Sequence, residues 1–354
     1  MYERKGSPAV SHLTFLEAIV VGSFQGVTEL FPVSSLGHSV LLPALVGGRW
    51  AQDLNVSAPE SPYLAFIVGL HVATAAALLL FFWRDWLRIL GGLLTSIRYR
   101  RMRTPPERLA WLIIIATIPV GIFGLALEHL FRTTLGRPIP AAAFLITNGV
   151  VLYTGERLRR RAHPQRTHPA VDPDAAVAVA TTGRLGPSAS HTADARRLRS
   201  AGRSRPAAAH QPPHTVARDA DAAADARLGQ LPIGRGTLIG AAQILALLPG
   251  ISRSGITMVA GLLGGLSHED AARFSFLLAT PVILAAGVLK IPDLFGPLGA
   301  GIHGQVLAGS IASFISAYLA VRFLTRYFHT HTLTPFAIYC LIAGAGSLAW
   351  LTLS

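Results

Sequence analysis

The chain has 354 residues, of which 51% are hydrophobic and only 14% are charged, well below the roughly 25% that is typical of soluble domains. Several apolar runs approach the roughly 20 residues that a helix needs to cross a bilayer. This composition excludes an ordinary soluble protein and indicates a polytopic membrane protein. The net charge of +13 lies in one low-complexity segment and in short loops between apolar runs. That is the positive-inside pattern of membrane proteins, so we expect no nucleic-acid partner.

The first half of the chain begins with an apolar stretch at 13–46, which Pro32 and Pro43 interrupt. Irregular backbone at membrane depth must be buried in protein or line a cavity. We therefore predict a re-entrant helix–loop–helix here rather than one continuous span. An arginine-rich loop at 84–108 is predicted to be cytoplasmic. Three spans are expected in this half, at 63–83, 109–128 and 139–154.

The middle of the chain, residues 156–232, is rich in Arg, Ala and Pro and has no sustained apolar periodicity. Such a segment cannot bury a core, so we predict a disordered cytoplasmic linker. A weak polybasic contact with lipid is the alternative.

The second half, 233–354, repeats the order of the first half, 1–155. It has a broken apolar stretch at 236–265, and its predicted spans lie at 271–291, 305–324 and 334–353. Because three spans per half is an odd number, the second copy would be inverted. The predicted fold is thus an all-α polytopic membrane protein built as an inverted repeat, with its functional site at the repeat interface near the midplane.

A cluster of polar residues, unusual for an apolar stretch, occupies the first break. It contains Gln25, Glu29, Ser34, Ser35 and His38. Ionisable groups at membrane depth are costly and usually mark a site. Gln25 and Glu29 would share one face of a helix, and Glu29 could act as a metal ligand or as a general acid or base. A structural carboxylate that pairs with an arginine is the alternative.

Ser35 and His38 are three residues apart, close enough for a hydroxyl and an imidazole to act together. Helix capping is the alternative for Ser34 and Ser35, and a satisfied structural histidine is the alternative for His38. Three other polar residues in predicted spans are expected to make interhelical hydrogen bonds; they are His71, Thr74 and Asn148.

The second break carries Gly250, Ser252, Arg253 and Ser254 just before a predicted helix. A guanidinium suits phosphate oxygens, and a helix N-terminus is itself an anion site. A plain ion pair between Arg253 and Glu29 is the alternative. The two breaks together offer two helix N-termini, an arginine and two pairs of hydroxyls. Their combined affinity for anions is greater than one carboxylate needs. We therefore expect a polyanionic substrate, with phosphate or pyrophosphate fitting best.

The two breaks resemble the two signatures of the undecaprenyl-diphosphate phosphatases of the bacitracin-resistance type. The first is Gln-Gly-Val-Thr-Glu-Leu-Phe-Pro-Val-Ser-Ser-Leu-Gly-His at 25–38, and the second is Leu-Pro-Gly-Ile-Ser-Arg-Ser-Gly at 248–255. The resemblance covers nearly all of the chain outside roughly 160–230. Leu36 and Ile251 depart from it, since each stands where a threonine is common.

The resemblance implies an integral plasma-membrane enzyme, multi-pass, with its active site open to the outer face. It would hydrolyse undecaprenyl diphosphate to the monophosphate and phosphate, which recycles the lipid carrier for cell-wall synthesis. By motif position the catalytic residues would be Glu29, Ser35, His38 and Arg253. Those expected to bind substrate are Gln25, Ser34, Gly250, Ser252 and Ser254.

The resemblance also implies a divalent cation, Mg²⁺ or Ca²⁺, with Glu29 as its ligand. The expected partners are a polyprenyl diphosphate lipid and membrane lipid. A homodimer is compatible with the sequence, which does not fix the oligomeric state.

Two other functions share some of these features. Inverted repeats with paired broken segments also occur in transporters, so a lipid flippase or a transporter of a polyanionic substrate is the alternative function. Release of phosphate distinguishes hydrolysis from transport. An acid-phosphatase-like site is discounted because it needs a histidine about six residues after its arginine, whereas the first one after Arg253 is His268.

Overall fold

The computed structural model describes residues 13–54, 62–130, 135–162, 222–296 and 301–353. The chain divides into a larger unit, residues 1–159 with 221–354, and a smaller unit, 160–220. All the contacts reported below lie in the larger unit.

The described residues are helical and contain no strand. In chain order the helices are α1 (Phe15–Leu30), α2 (Ser35–Val46), α3 (Gly48–Asp53), α4 (Pro62–Phe81), α5 (Trp83–Tyr99), α6 (Pro105–Leu130), α7 (Pro138–Ala162), α8 (Ile233–Ala241), α9 (Arg253–Leu263), α10 (His268–Phe295), α11 (His303–Tyr327) and α12 (Thr334–Leu353). A 3-10 helix, Ala242–Leu247, extends α8.

Five of the described helices are long and apolar enough to cross a membrane, and α4 with α5 could form a sixth span. The five are α6, α7, α10, α11 and α12. The predicted class, an all-α polytopic membrane protein, is confirmed. The inverted relation of the two halves stays a prediction.

Two helical hairpins are too short to cross a bilayer and carry the two sequence motifs at their tips. The first consists of α1 and α2, and the second of α8, its 3-10 extension and α9. Helix α1 ends at Leu30 because a residue that precedes proline, here Phe31, disfavours helical backbone. Each hairpin resumes at a serine N-cap, Ser34 for α2 and Ser252 for α9. These caps place the motif residues in the short loops and in the helix turns on either side of them.

Helix α5 lies in the stretch that the sequence analysis assigned to a loop, which corrects that expectation. It is bent by 84° from α4 at a short break. Its arginines suggested a loop, but apolar residues also recur through it at helical spacing, as Leu87, Leu90 and Leu94. That period is the stronger signal, because charged and apolar residues can share an amphipathic helix.

Ordered structure also extends into both ends of the predicted linker. Residues 156–162 continue α7, and residues 222–229 are helical. The rest of the predicted disordered segment, 163–221, lies outside the described residues.

Both helical ends are held by contacts of buried carboxylates, which apolar periodicity does not reveal. Glu156 lies 2.7 Å from His268 Nε2. Asp225 accepts from Arg88 at 2.8 Å and from Arg273 at 3.0 Å, and both arginines also pair with Asp85. A buried carboxylate that has two guanidinium partners is held in place by charge-assisted hydrogen bonds.

Helix α1 packs against α11 with almost no space between the backbones. A Cβ built on Gly22 would lie 2.2 Å from Gly309 O. A Cβ on Gly26 would lie 2.3 Å from Ser313 O. The close approach needs glycine, since any side chain here would push the first hairpin away from α11.

We predict that Gly22→Ala destabilises the protein by about 1–3 kcal/mol, the usual cost of overpacking. Thermal unfolding of the purified protein in detergent measures the effect. Gly121→Ala in α6 is the matched control, because no atom lies within 4 Å of its added methyl group. Both changes gain similar helix propensity, so the difference between them isolates packing. Equal melting temperatures for the two variants would contradict the close approach.

Candidate active site

The tips of the two hairpins touch each other at a pair of glycines. A Cβ built on Gly37 would lie 2.8 Å from Gly250 Cα. Gly250 has φ +118°, a backbone conformation that glycine adopts readily and other residues rarely adopt. Its amide donates to Ser34 Oγ at 3.2 Å. The structure therefore brings together two motifs that are more than two hundred residues apart in the chain.

Asn148 of α7 bridges the two tips from the side. Its amide Nδ2 donates to Pro32 O and its Oδ1 accepts from Ser252 N, each at 3.0 Å. Ser254 Oγ donates across the same contact to Phe31 O at 3.1 Å. Backbone groups that a break leaves without helical partners are thereby paired inside the protein. The sequence predicts interhelical hydrogen bonds for Asn148, and the structure shows them.

Glu29, in the last turn of α1, is the centre of the polar cluster. Its Oε1 accepts a charged hydrogen bond from the Arg253 guanidinium, in the first turn of α9. Its Oε2 accepts from Ser35 Oγ, and from Gln25 Nε2 at 3.0 Å. The carboxylate is buried, and these three donors offset the cost of its burial. The structure thus assembles Gln25, Glu29, Ser35 and Arg253 into one site.

His71 joins this cluster from α4, although sequence reasoning gave it no role in the site. Its Nε2 lies 3.6 Å from Glu29 Oε2 and 3.3 Å from Gln25 Nε2. Its Nδ1 lies 2.8 Å from Ile67 O. Because a carbonyl can only accept, Nδ1 carries the proton and Nε2 faces the cluster. The available signal was its position as an ionisable residue within a predicted span.

Both ring nitrogens of His38 have partners other than Ser35, and its pairing with Ser35 stays a prediction. Its Nδ1 donates to Ser34 O at 2.7 Å, and its Nε2 accepts from Tyr339 OH at 2.9 Å. Both ring nitrogens are thus occupied, one by the N-cap carbonyl of the histidine's own helix. Spacing alone could not show this, since Tyr339 comes from α12 at the far end of the chain.

The predicted substrate-binding hydroxyls of Ser34, Ser252 and Ser254 are buried and already hydrogen-bonded. Ser34 Oγ and Ser252 Oγ cap their helices by accepting from Gly37 N and Gly255 N. Ser34 also has φ +72°, a strained conformation for a residue other than glycine. In this structure these residues hold the tips together, and their contact with substrate stays a prediction.

The first turns of α2 and α9 both lie at Glu29. Ser35 is the first residue of α2, Arg253 is the first residue of α9, and each contacts the Glu29 carboxylate. A helix N-terminus carries partial positive charge and unpaired amide groups. The site therefore combines two such ends with one guanidinium, an arrangement suited to an anion that carries several charges.

The donor set for a divalent cation is small. No group of three or more His, Cys, Asp or Glu side chains that could hold a metal ion occurs in the described ranges. Gln25 Oε1, however, is buried beside Glu29 with no hydrogen-bond partner. Mg²⁺ commonly takes one or two protein oxygens and completes its shell with water and substrate phosphates. Glu29 and Gln25 fit such a shared site.

The family model described as Bacitracin resistance protein BacA matches residues 18–181 and 214–346. The chain belongs to this family. The match covers both motif tips, every helix from α1 to α11 in whole or in large part, and most of α12.

Curated relatives match over nearly the whole chain. A protein from Mycolicibacterium paratuberculosis named undecaprenyl-diphosphatase is 68% identical over 97% of this chain and 99% of its own length. Undecaprenyl-diphosphatase 1 of Frankia casuarinae is 53% identical over 95% and 98% of the two lengths. The undecaprenyl-diphosphatase of Granulibacter bethesdensis is 37% identical over 97% and 98%. These similarities span both halves of this BacA-family chain.

We predict that Asn148→Leu strongly destabilises the protein, because it leaves Ser252 N buried without a partner and Pro32 O with only the weak thiol donor of Cys340. Each unpaired group costs about 1–3 kcal/mol. Thermal unfolding in detergent measures the loss. Thr147→Val is the neighbouring control, since Thr147 is exposed and its hydroxyl donates to Ala143 O of the same helix. A melting temperature of Asn148→Leu equal to that of the control would show that the bridge contributes nothing.

Proposed function

We propose that this protein is an undecaprenyl-diphosphatase, an integral membrane enzyme that hydrolyses undecaprenyl diphosphate to undecaprenyl phosphate and inorganic phosphate. The observation that carries the proposal is the meeting of Glu29 and Arg253 at the tips of two hairpins. Relatives that bear this name align along nearly the whole chain. Their names favour hydrolysis over lipid transport, which the sequence alone left as the alternative. The reaction recycles the lipid carrier for cell-wall synthesis.

Arg253 is the group proposed to bind the diphosphate. It is partly exposed, while the carboxylate that it contacts is buried. A guanidinium can exchange a carboxylate for a phosphate because each offers two oxygens that accept its two parallel N–H donors. The N-termini of α2 and α9 add positive potential to the same place. Charge that accumulates on the phosphoryl oxygens in the transition state is stabilised by groups already fixed in position.

Ser35 is the hydroxyl proposed to act in the reaction. Its Oγ donates to Glu29 Oε2, so the Glu29 carboxylate is within reach of the hydroxyl proton. In one form of the mechanism Ser35 Oγ bonds to the terminal phosphorus, its proton passes to Glu29, and the bridging P–O bond breaks. Undecaprenyl phosphate then leaves, and water hydrolyses the phosphoserine.

In the other form, Ser35 orients a water molecule that attacks the phosphorus directly. Acid quenching during turnover would trap a covalent phosphoserine in the first form of the mechanism and none in the second. His38 stays a predicted catalytic residue. For it to carry a proton from Ser35, its imidazole must leave either Ser34 O or Tyr339 OH.

A divalent cation, Mg²⁺ or Ca²⁺, is proposed to bind at Glu29 and Gln25. When bound, it would add positive charge beside the diphosphate oxygens. The support is the unpartnered Gln25 Oε1 next to a carboxylate. The role of this chain's own residues is to offer two oxygens and leave the other positions to water and substrate.

The protein is embedded in the membrane with several spans, and we propose that its site opens to the outer face of the plasma membrane. The support is the resemblance to the bacitracin-resistance type, which implies an outward-facing site. Arginines concentrate at 84–108, 155–235 and 322–331 and mark the inner side of the membrane. A homodimer also stays a proposal, and the contacts described here lie within one chain.

We predict that Arg253→Lys and Glu29→Gln each lower the rate of phosphate release from undecaprenyl diphosphate by about 100-fold or more, the usual loss when a charge-stabilising group is removed. Lysine keeps the charge of Arg253 but not its two parallel donors. Arg235→Lys is the control, because Arg235 is exposed and its guanidinium donates to Gly264 O. Near wild-type turnover in either site variant would refute the proposed site.

We predict that EDTA, which does not cross a bilayer, stops phosphate release only from the compartment that the site faces. With right-side-out membrane vesicles, EDTA outside should abolish activity, and Mg²⁺ added outside should restore it. EDTA trapped inside should have no effect. Inhibition only from the lumen would place the site on the inner face, and no inhibition from either side would exclude the cation.

A further inference from the structure

Helix α5 has an exposed apolar face that nothing in the described chain covers. Leu87, Leu90, Leu94 and Ile97 are all well exposed, and their spacing of three, four and three residues places them on one face. The opposite face is buried, with Ile89, Gly92 and Ser96 as members. A Cβ on Gly92 would lie 2.7 Å from Pro106 C, so the buried face packs closely on the start of α6.

A stripe of basic and small residues runs beside the apolar face. It contains Arg84, Arg88, Gly91, Thr95 and Arg98, which are four, three, four and three residues apart. Arg88 is engaged with Asp85 and Asp225, whereas Arg84 and Arg98 are exposed. Arg100, Arg101 and Arg103 follow directly after the helix. The helix thus presents an apolar face and a cationic face at about a right angle to each other.

The position of α5 decides what can cover these faces. It turns by 84° from α4, an apolar helix of twenty residues, so it leaves the direction of that span at the span's end. Exposed aromatic residues, Trp83 and Tyr99, stand at its two termini. Their rings contact the guanidinium groups of Arg84, Arg98 and Arg101. Tryptophan and tyrosine are enriched where bilayer meets water.

We infer that α5 lies in the membrane interface and binds anionic phospholipids. Its apolar face would enter the boundary between headgroups and acyl chains, as amphipathic interfacial helices do. Arg84 and Arg98 would extend to the headgroup phosphates while their alkyl chains stay over apolar surface. The complementary charge selects anionic lipid over zwitterionic lipid. This surface is separate from the site at Glu29 and needs no assumption about the reaction.

The first test locates the two faces in a bilayer. Spin labels are attached at Leu94→Cys on the apolar face and at Thr95→Cys on the basic stripe, in the full-length protein reconstituted in phospholipid vesicles. The only cysteine of the chain, Cys340, is buried, so the native background serves. Collisions with oxygen should dominate at Leu94, and collisions with a water-soluble nickel chelate should dominate at Thr95.

Preferential collision of nickel with the Leu94 label would overturn the inference. Strong dipolar coupling between Leu94 labels would also overturn it, because a second copy of the chain would then cover the face. A melting temperature in detergent close to that of the wild type verifies that each labelled variant has folded.

The second test measures lipid selectivity. Wild type and the double variant Arg84→Gln/Arg98→Gln are reconstituted in mixed phosphatidylcholine and phosphatidylglycerol, and bound lipids are counted by native mass spectrometry. The variant should lose affinity for phosphatidylglycerol by about 25-fold, since each of the two arginines near a charged surface contributes about fivefold. The control, Arg137→Gln/Arg322→Gln, removes two exposed arginines outside α5. Equal retention by wild type and the Arg84→Gln/Arg98→Gln variant would overturn the proposed headgroup contact.

Discussion

Polar backbone groups at membrane depth must find partners inside the protein, because lipid offers none. Each of the two hairpins breaks its helix at a motif, and each break exposes amides and carbonyls. The structure pairs them across the two tips: Gly250 N with Ser34 Oγ, Ser254 Oγ with Phe31 O, and both tips with Asn148. Neither hairpin satisfies its break alone. The polar site forms where the two breaks supply each other's hydrogen-bond partners.

The same contact explains why the charged residues can be buried. Glu29 without Arg253 would be a buried carboxylate with only neutral donors, Ser35 and Gln25, and burying it would cost more than burying a carboxylate paired with a cation. Arg253 reaches Glu29 across the same contact at which Gly37 meets Gly250. The ion pair thus depends on the close approach of the two backbones. A polyanion that displaces Glu29 from Arg253 would exploit a contact that the fold has already aligned.

Much of this was predictable from sequence, because polar residues in an apolar stretch are conspicuous. Gln25, Glu29, Ser35 and Arg253 were expected together and are found together. The direction of His38 was not predictable, since its partner Tyr339 is distant in the chain. Neither was the place of His71, which looks like any polar residue of a span. Such features depend on which helices pack against each other, and the spacing of residues within one segment does not determine that. Helix α5 was not predicted for another reason: its many arginines indicated a loop, although its apolar residues recur at helical spacing.

The contact of Glu156 with His268 and the ion pairs of Asp225 also fix two points on either side of residues 163–221. The contacts that hold these two points in the membrane unit therefore do not depend on the length of the chain that connects them. The free-energy cost of closing a loop rises by only about 0.6 kcal/mol for each doubling of its length. The connection is thus a natural place to divide the gene into two separately translated halves, or to insert a reporter domain, with both membrane halves still able to assemble.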